Sequence, residues 1–124
     1  METEIRTHER VEVLDVTDAV ESALPADAAG SHTVFVEHTT CGVTVNEAER
    51  RLLGDIERAL ERLVPEDGYA HDEIDDNAAA HLRAMLLGPG VTVPVEDGRL
   101  ALGTWQSVLL VECDGPRTRR LRVI

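Results

Sequence analysis

Alternation of apolar and polar positions, rather than helical spacing, governs most of the chain. Val11 and Val13 alternate with polar neighbours inside the β-branched stretch from Ile5 to Val16, which predicts one or two strands. Asp18 and Glu21 stand at capping-box spacing, so a short helix is expected before the stop at Pro25. From Ser31 to Thr39, His32, Val34, Val36 and His38 share one face, with Thr33, Phe35 and Glu37 on the other. His38 therefore falls at the end of a core strand. Gly42 interrupts, Val43 to Val45 resume the β pattern, and Asn46 with Glu49 marks a helix start. Leu52, Leu53, Ile56, Ala59, Leu60 and Leu63 then recur at helical spacing as far as Pro65.

Tyr69 to Asp76 is a carboxylate-rich polar loop around His71, of the kind that carries function. Asp75 or Asp76 is expected to cap the next helix, with Ala78, Leu82, Met85 and Leu86 as its buried stripe and Gly88-Pro89 as its stop. Asn77 and His81, one turn apart, share a flank of it. The remainder reads as β: Val91 to Val95, a turn at Glu96-Asp97-Gly98, then Leu100 to Leu102, Trp105 to Glu112 and Thr118 to Val123. The last two runs are expected to be antiparallel neighbours. The pattern predicts an α+β fold, a mostly antiparallel β-sandwich or sheet covered by two or three helices.

Length and charge narrow the function. At 124 residues the chain can bury about two-thirds of its surface, enough for one domain over residues 1–124, and no repeat or linker divides it. Acidic residues number 24 against 12 basic ones, for a formal charge of -12, which excludes duplex nucleic acid and anionic membranes as natural partners. Only Arg117, Arg119, Arg120 and Arg122 run the other way. They are either the basic margin of a strand or a phosphate or subunit contact. Phe35, Tyr69 and Trp105 are too few for an RNA-stacking platform. No GxGxxG or GxxxxGK motif occurs. No apolar run approaches the ~18 residues of a membrane helix, and the charged first ten residues do not resemble a secretory signal. The expected location is cytoplasmic, with Cys41 and Cys113, which form no CxxC pair, as reduced thiols.

Candidate chemistry centres on His38, His71 and His81, at an element end, in a polar loop and on a helix flank. Brought together by the fold, they could hold a divalent metal with an open position, serve in acid/base or phosphate contacts, or make structural hydrogen bonds. Cys41, three residues after His38, invites a Cys/His nucleophile, against which stands the commoner buried, inert thiol. Asp55, Asp72, Asp75 and Asp76 could orient the imidazoles or move a proton, although Asp55 borders its helical stripe as a solvated carboxylate would.

The string His38-Thr39-Thr40, then Thr44, Asn46-Glu47, Tyr69, His71, Asn77, His81 and Gly88, and finally Pro94, Gly98, Leu100, Leu102-Gly103-Thr104-Trp105-Gln106, Glu112 and Arg117, resembles the YjbQ (UPF0047) family across nearly the whole chain. The resemblance implies a single α+β domain, assembly as a homotrimer, and a secondary thiamine-phosphate synthase activity. That reaction joins hydroxymethylpyrimidine diphosphate to a thiazole phosphate, small phosphorylated substrates, with release of pyrophosphate. Residue by residue, it implies catalytic or metal-binding roles for His38, His71 and His81, phosphate pairing for Arg117, and substrate contacts for Thr39, Asn46, Thr104 and Gln106. Trp105 is then either part of that segment's function or an interface anchor. Cys41 departs from the small residue usual in the family, which argues against thiol catalysis.

A diphosphate leaving group needs cations where negative charge develops. The expectation is a divalent metal, Zn²⁺ or Mg²⁺, held by the three histidines or arriving with the diphosphate, acting with Arg117. The alternatives are a non-catalytic trimeric metal- or anion-binding protein and a metal-assisted hydrolase. The chain has no lysine and a large acid excess, so its surface repels itself less when screened. Thermal unfolding followed by circular dichroism is expected to move to higher temperature between low and molar KCl; an unchanged midpoint would rule out a salt-adapted surface.

Overall fold

The N-terminal β-branched stretch breaks at the polar turn around Glu9 into two strands, β1 (Glu2–Arg6) and β2 (Glu12–Asp15), which join different sheets. In the computed structural model, which describes residues 1–124, there follow α1 (Thr17–Ser22), β3 (Gly30–Val36), β4 (Cys41–Asn46) and α2 (Arg50–Leu63). A one-turn 3₁₀ helix (Ala70–Glu73) leads to α3 (Ala78–Leu87), β5 (Gly90–Glu96), β6 (Arg99–Leu100), β7 (Ser107–Glu112) and β8 (Thr118–Val123). One antiparallel sheet has the order β1-β8-β3-β5-β6 and the other β2-β7-β4. Of the expected sandwich or sheet with two or three helices, an α+β fold of two antiparallel sheets with three helices is what forms. No helix is long and apolar enough to cross a membrane.

Strand β7 explains the layering. Its alternate residues Val108 and Leu110 enter the core between the two sheets, beside Val34, Val36, Val43 and Leu121. Leu109 and Val111 face the other way, into a second cluster with Val13, Leu60 and Ala80 beneath α2 and α3. A strand buried on both faces must be apolar at every position, hence the unbroken run from Val108 to Val111.

This placement corrects one expectation. Strands β7 and β8 are not neighbours: β7 lies between β2 and β4, and β8 between β1 and β3. Cys113 to Arg117, with a cis Gly115-Pro116 bond, carries the chain from one sheet to the other. The face of α3 also differs. Met85 and Leu86 are 71% and 60% exposed, while Ala78, Ala79, Ala80, Arg83 and Ala84 are buried. At its end α3 approaches β4 so closely that a Cβ on Gly42 would stand 2.7 Å from Leu87 Cβ and 2.9 Å from the Gly88 carbonyl. The side chain at that contact is Leu87, while the buried residues earlier in the helix are mostly alanines.

Three helix starts shift for a common reason: a carboxylate just outside the expected position reaches the free backbone N–H groups. Asp15, not Asp18, accepts from Thr17 N at 3.0 Å. Glu49, not Asn46, accepts from Arg51 N and Leu52 N and caps α2. Asp72, not Asp75 or Asp76, accepts from Ala78 N at 3.3 Å. Leu63, at the end of the α2 stripe, is 71% exposed rather than buried.

Substituting Gly42→Ala is expected to force α3 away from β4 and to lower stability by about 1–3 kcal/mol, the usual cost of overpacking. Urea denaturation followed by far-UV circular dichroism measures it, and a change within ±0.3 kcal/mol would show that the contact gives way freely.

Candidate functional site

His38 lies just beyond the end of β3, and the strand's stopping point determines what its ring does. Strand β3 pairs with β8 as far as Val36, opposite Leu121. The next β8 residue, Arg120, donates its backbone N–H to His38 Nε2 at 3.0 Å. A backbone amide can only donate, so Nε2 holds a lone pair and the neutral ring carries its hydrogen on Nδ1. Burial, followed by the charges of Arg119 and Arg120, lowers the His38 pKa; Glu112 and Glu37 oppose the shift less strongly.

Three hollows include this ring in their walls, and two of them also share Thr39 and His81. The first of these two, about 420 Å³, has no hydrophobic side chain in its wall, which includes His38, Asp75, Asn77, His81, Arg117 and Arg119. The second, about 320 Å³, is partly apolar, with Cys41, Ala84, Met85 and Pro89 beside the same His38, Thr39 and His81. Thus His38, Thr39 and His81 divide a polar, arginine-bearing chamber from one faced by Met85. His71 stands on the 3₁₀ turn with its ring centroid 4.9 Å from that of His81, edge to face at 68°. His81 reaches the cleft from α3, and Asn77, one turn before it, lines the polar chamber as their shared flank predicts.

The arginines are held by carboxylates at the end of β7. Arg117 donates from Nη2 to Asp114 Oδ2 at 2.9 Å and from Nε to the Asp114 carbonyl at 2.7 Å. Asp114 also accepts from Asn77 Nδ2 at 2.9 Å and Arg10 Nη1 at 3.3 Å. Deeper, Arg119 and Glu112 are 2% and 0% exposed and form an ion pair. Arg119 Nε donates to Glu112 Oε2 at 2.7 Å, and its Nη2 donates to Thr40 Oγ1 at 2.9 Å. Thr7 Oγ1 and Asp114 N complete the Glu112 carboxylate, at 2.8 and 2.9 Å. Gly115 borders this network so tightly that a Cβ there would lie 2.8 Å from Glu112 Cγ. Arg119, grouped in the sequence reading with Arg117, Arg120 and Arg122 as either strand margin or phosphate or subunit contact, lines the cleft. The signal setting it apart was its register, since it shares a strand face with the core residues Leu121 and Val123.

Asn46, Thr104 and Gln106 lie elsewhere. Asn46 ends β4, five residues and roughly 16 Å along the strand from Cys41. Its Oδ1 accepts from Glu47 N at 2.8 Å, and Gln106 Oε1 accepts from Gly103 N at 2.8 Å, which closes the turn. Thr104 and the 73% exposed Trp105 line a separate hollow of about 310 Å³ with Glu47 and Glu49. Within one chain, therefore, these three do not join His38, His81 and Arg117. A larger hollow of about 560 Å³ lies by Arg10, Glu66 and Arg83, whose charges are paired with one another.

The residues present do not make a three-imidazole metal cage within one chain. His38 Nε2 already accepts from Arg120, and Nδ1 carries the ring hydrogen, so neither lone pair is free. The one set of three ligand-type side chains with donor atoms all within 4.8 Å is Asp67, Asp72 and Asp76, on the surface. Asp72 in that set already accepts from Tyr69 N and Ala78 N. Burial raises the Cys41 thiol to about 11 and the Cys113 thiol to about 12, so both are protonated near neutrality and neither is an activated nucleophile. Asp55 is solvated and pairs with Arg58 on its own helix.

Because folding lowers the His38 pKa, the unfolded chain binds the proton more readily. His38's contribution to stability is full above the ordinary histidine pKa near ~6.5 and falls as pH drops through the lower folded value. His38→Gln, whose amide oxygen can still accept from Arg120, is expected to flatten the midpoint-against-pH curve below about pH 6.5. Thermal melts from neutral to mildly acidic pH test this, and an unaltered slope would remove His38 as its source.

The chain is similar to known proteins along nearly its whole length. A UPF0047 protein of Archaeoglobus fulgidus is 52% identical over 124 residues, covering 99% of this chain and 98% of its own. The UPF0047 protein YugU of Bacillus subtilis is 37% identical, covering 94% of this chain and 90% of its own. Among solved structures, a hypothetical protein of Aeropyrum pernix K1 superposes with a TM-score of 0.94 at 42% identity, covering 100% of this chain and 95% of the other. A YbjQ-like protein of unknown function from Sulfolobus solfataricus superposes with a TM-score of 0.90 at 37% identity, covering 99% and 92%. The family model described as UPF0047 protein YjbQ-like matches residues 1–124, and the chain belongs to that family.

Proposed function

We propose that the double cleft binds a phosphorylated heterocycle and that the protein is a transferase of the thiamine-phosphate synthase type, joining hydroxymethylpyrimidine diphosphate to a thiazole phosphate. The observation that carries this reading is the shared wall: His38, Thr39 and His81 border both an arginine-bearing polar chamber and a chamber faced by Ala84, Met85 and Pro89. A ligand with an anionic end and a flat, weakly polar end fits such a division; a free metal ion or a simple anion uses only half of it.

In this reading Arg117, exposed enough to reorient, offers its free guanidinium donors to a phosphate. His38 adds a neutral Nδ1–H donor. As the bond to the diphosphate breaks, pyrophosphate leaves with the bonding electrons, and these donors meet the charge where it develops. His81, braced by His71, is positioned to exchange a proton with the departing oxygen. A divalent metal enters only as the counter-ion of the diphosphate, where it would neutralise the leaving group. Homotrimeric assembly would be the route by which Thr104 or Gln106 of one protomer reached the cleft of another.

Turnover is tested by incubating the protein with both substrates and Mg²⁺ and measuring the coupled product by chromatography. Arg117→Gln is expected to lower kcat/KM by about 10–100-fold, the value of a charged hydrogen bond made to the leaving group. Absence of product from the wild type would overturn the synthase reading: tight binding without turnover would leave a binding protein, and phosphate or pyrophosphate release without coupling would leave a hydrolase.

A further inference from the structure

Arginine has five N–H donors, and in Arg119 three are engaged, by Glu112 and by the side chain and carbonyl of Thr40. Its Nη1 donates to nothing within the chain, although the residue is 98% removed from solvent and lines the polar chamber. Such a group is held in place before any ligand arrives.

Arg117, just before β8, and Arg119, within it, both line the polar chamber. Behind them stand Asp114 and Glu112, each holding one arginine. Their side chains differ in freedom, Arg117 being 52% exposed and Arg119 2%. We propose that this array recognises two linked anionic groups: Arg119 is the fixed contact for one phosphoryl group through Nη1, and Arg117 is the adjustable contact for the other. The ligand class is a diphosphate rather than a monophosphate. Net charge does not drive the recognition, since Glu112 and Asp114 offset the arginines and Asp75 opposes an anion from the same wall. The donors with no partner within the chain drive it instead, since Arg117 and Arg119 both line the chamber.

The inference deepens the proposed function and rests on its anion-binding cleft. Removing Arg119 alone strands the buried Glu112 charge and risks unfolding. The test therefore uses the neutral pair Glu112→Gln/Arg119→Gln, with its melting temperature recorded, beside Arg117→Gln and wild type. Inorganic pyrophosphate and orthophosphate are titrated calorimetrically in magnesium-containing buffer. Wild type is expected to prefer pyrophosphate by at least tenfold. The folded double variant should lose that preference and keep its orthophosphate affinity within about threefold, through Arg117. A double variant retaining the wild-type preference would refute the role of Arg119 and leave the anion cleft standing. If the double variant does not fold, Arg119→Lys decides: it keeps the charge beside Glu112 but lacks the Nη1 group, so an intact preference refutes the proposal and a lost one supports it. Wild type binding neither anion would overturn both this inference and the reading beneath it.

Discussion

One buried ion pair joins the two sheets and supports the cleft. Glu112 comes from the end of β7 and Arg119 from β8, strands with no ladder between them. Their contact, with Thr7 and Thr40 completing the hydrogen bonds, fixes where the end of β3 can lie. Two fully buried charges tolerate no loose geometry, because attraction between them offsets desolvation only when the remaining donors and acceptors are satisfied. Glu112 meets that condition through Thr7 and the Asp114 amide. Arg119 leaves one nitrogen without a partner, and that nitrogen belongs to a residue of the cleft wall.

The same strand end controls His38. Strand β8 extends past the end of β3, and the imidazole fills the hydrogen-bonding position that the next residues of β3 leave open. A side chain thus substitutes for a strand partner, which sets its tautomer, while burial and the nearby arginines lower its pKa. This explains why the ring suits an anion better than a cation. A metal would have to displace a backbone hydrogen bond, whereas a phosphate oxygen meets a hydrogen already in place.

Much of this was legible in the sequence, for identifiable reasons. The alternation through His32, Val34 and Val36 located β3 and the position of His38, because a half-buried strand must alternate. The shared flank of Asn77 and His81 followed from helical geometry alone. The pairing of β7 with β8 was misread because an apolar run shows that both faces are buried without showing which strands flank it. The face of α3 was misread because nearly every position of the helix is apolar, so periodicity alone does not choose between its alanine face and the side bearing Met85 and Leu86. The sequence reading placed Arg119 only within a four-arginine cluster, although its register with Leu121 and Val123 set it apart as a charge on the core face. The separation of Thr104 and Gln106 from the histidines lies in the tertiary path of β4, to which local pattern is blind.

The partner that orients His38 is an amide of the main chain. Side chains mutate, but every residue except proline supplies the same N–H at position 120. Drift there can change the surface charge of the strand while leaving the imidazole in its hydrogen-donating form. The constraint on that position is therefore an exclusion of one amino acid rather than a requirement for another.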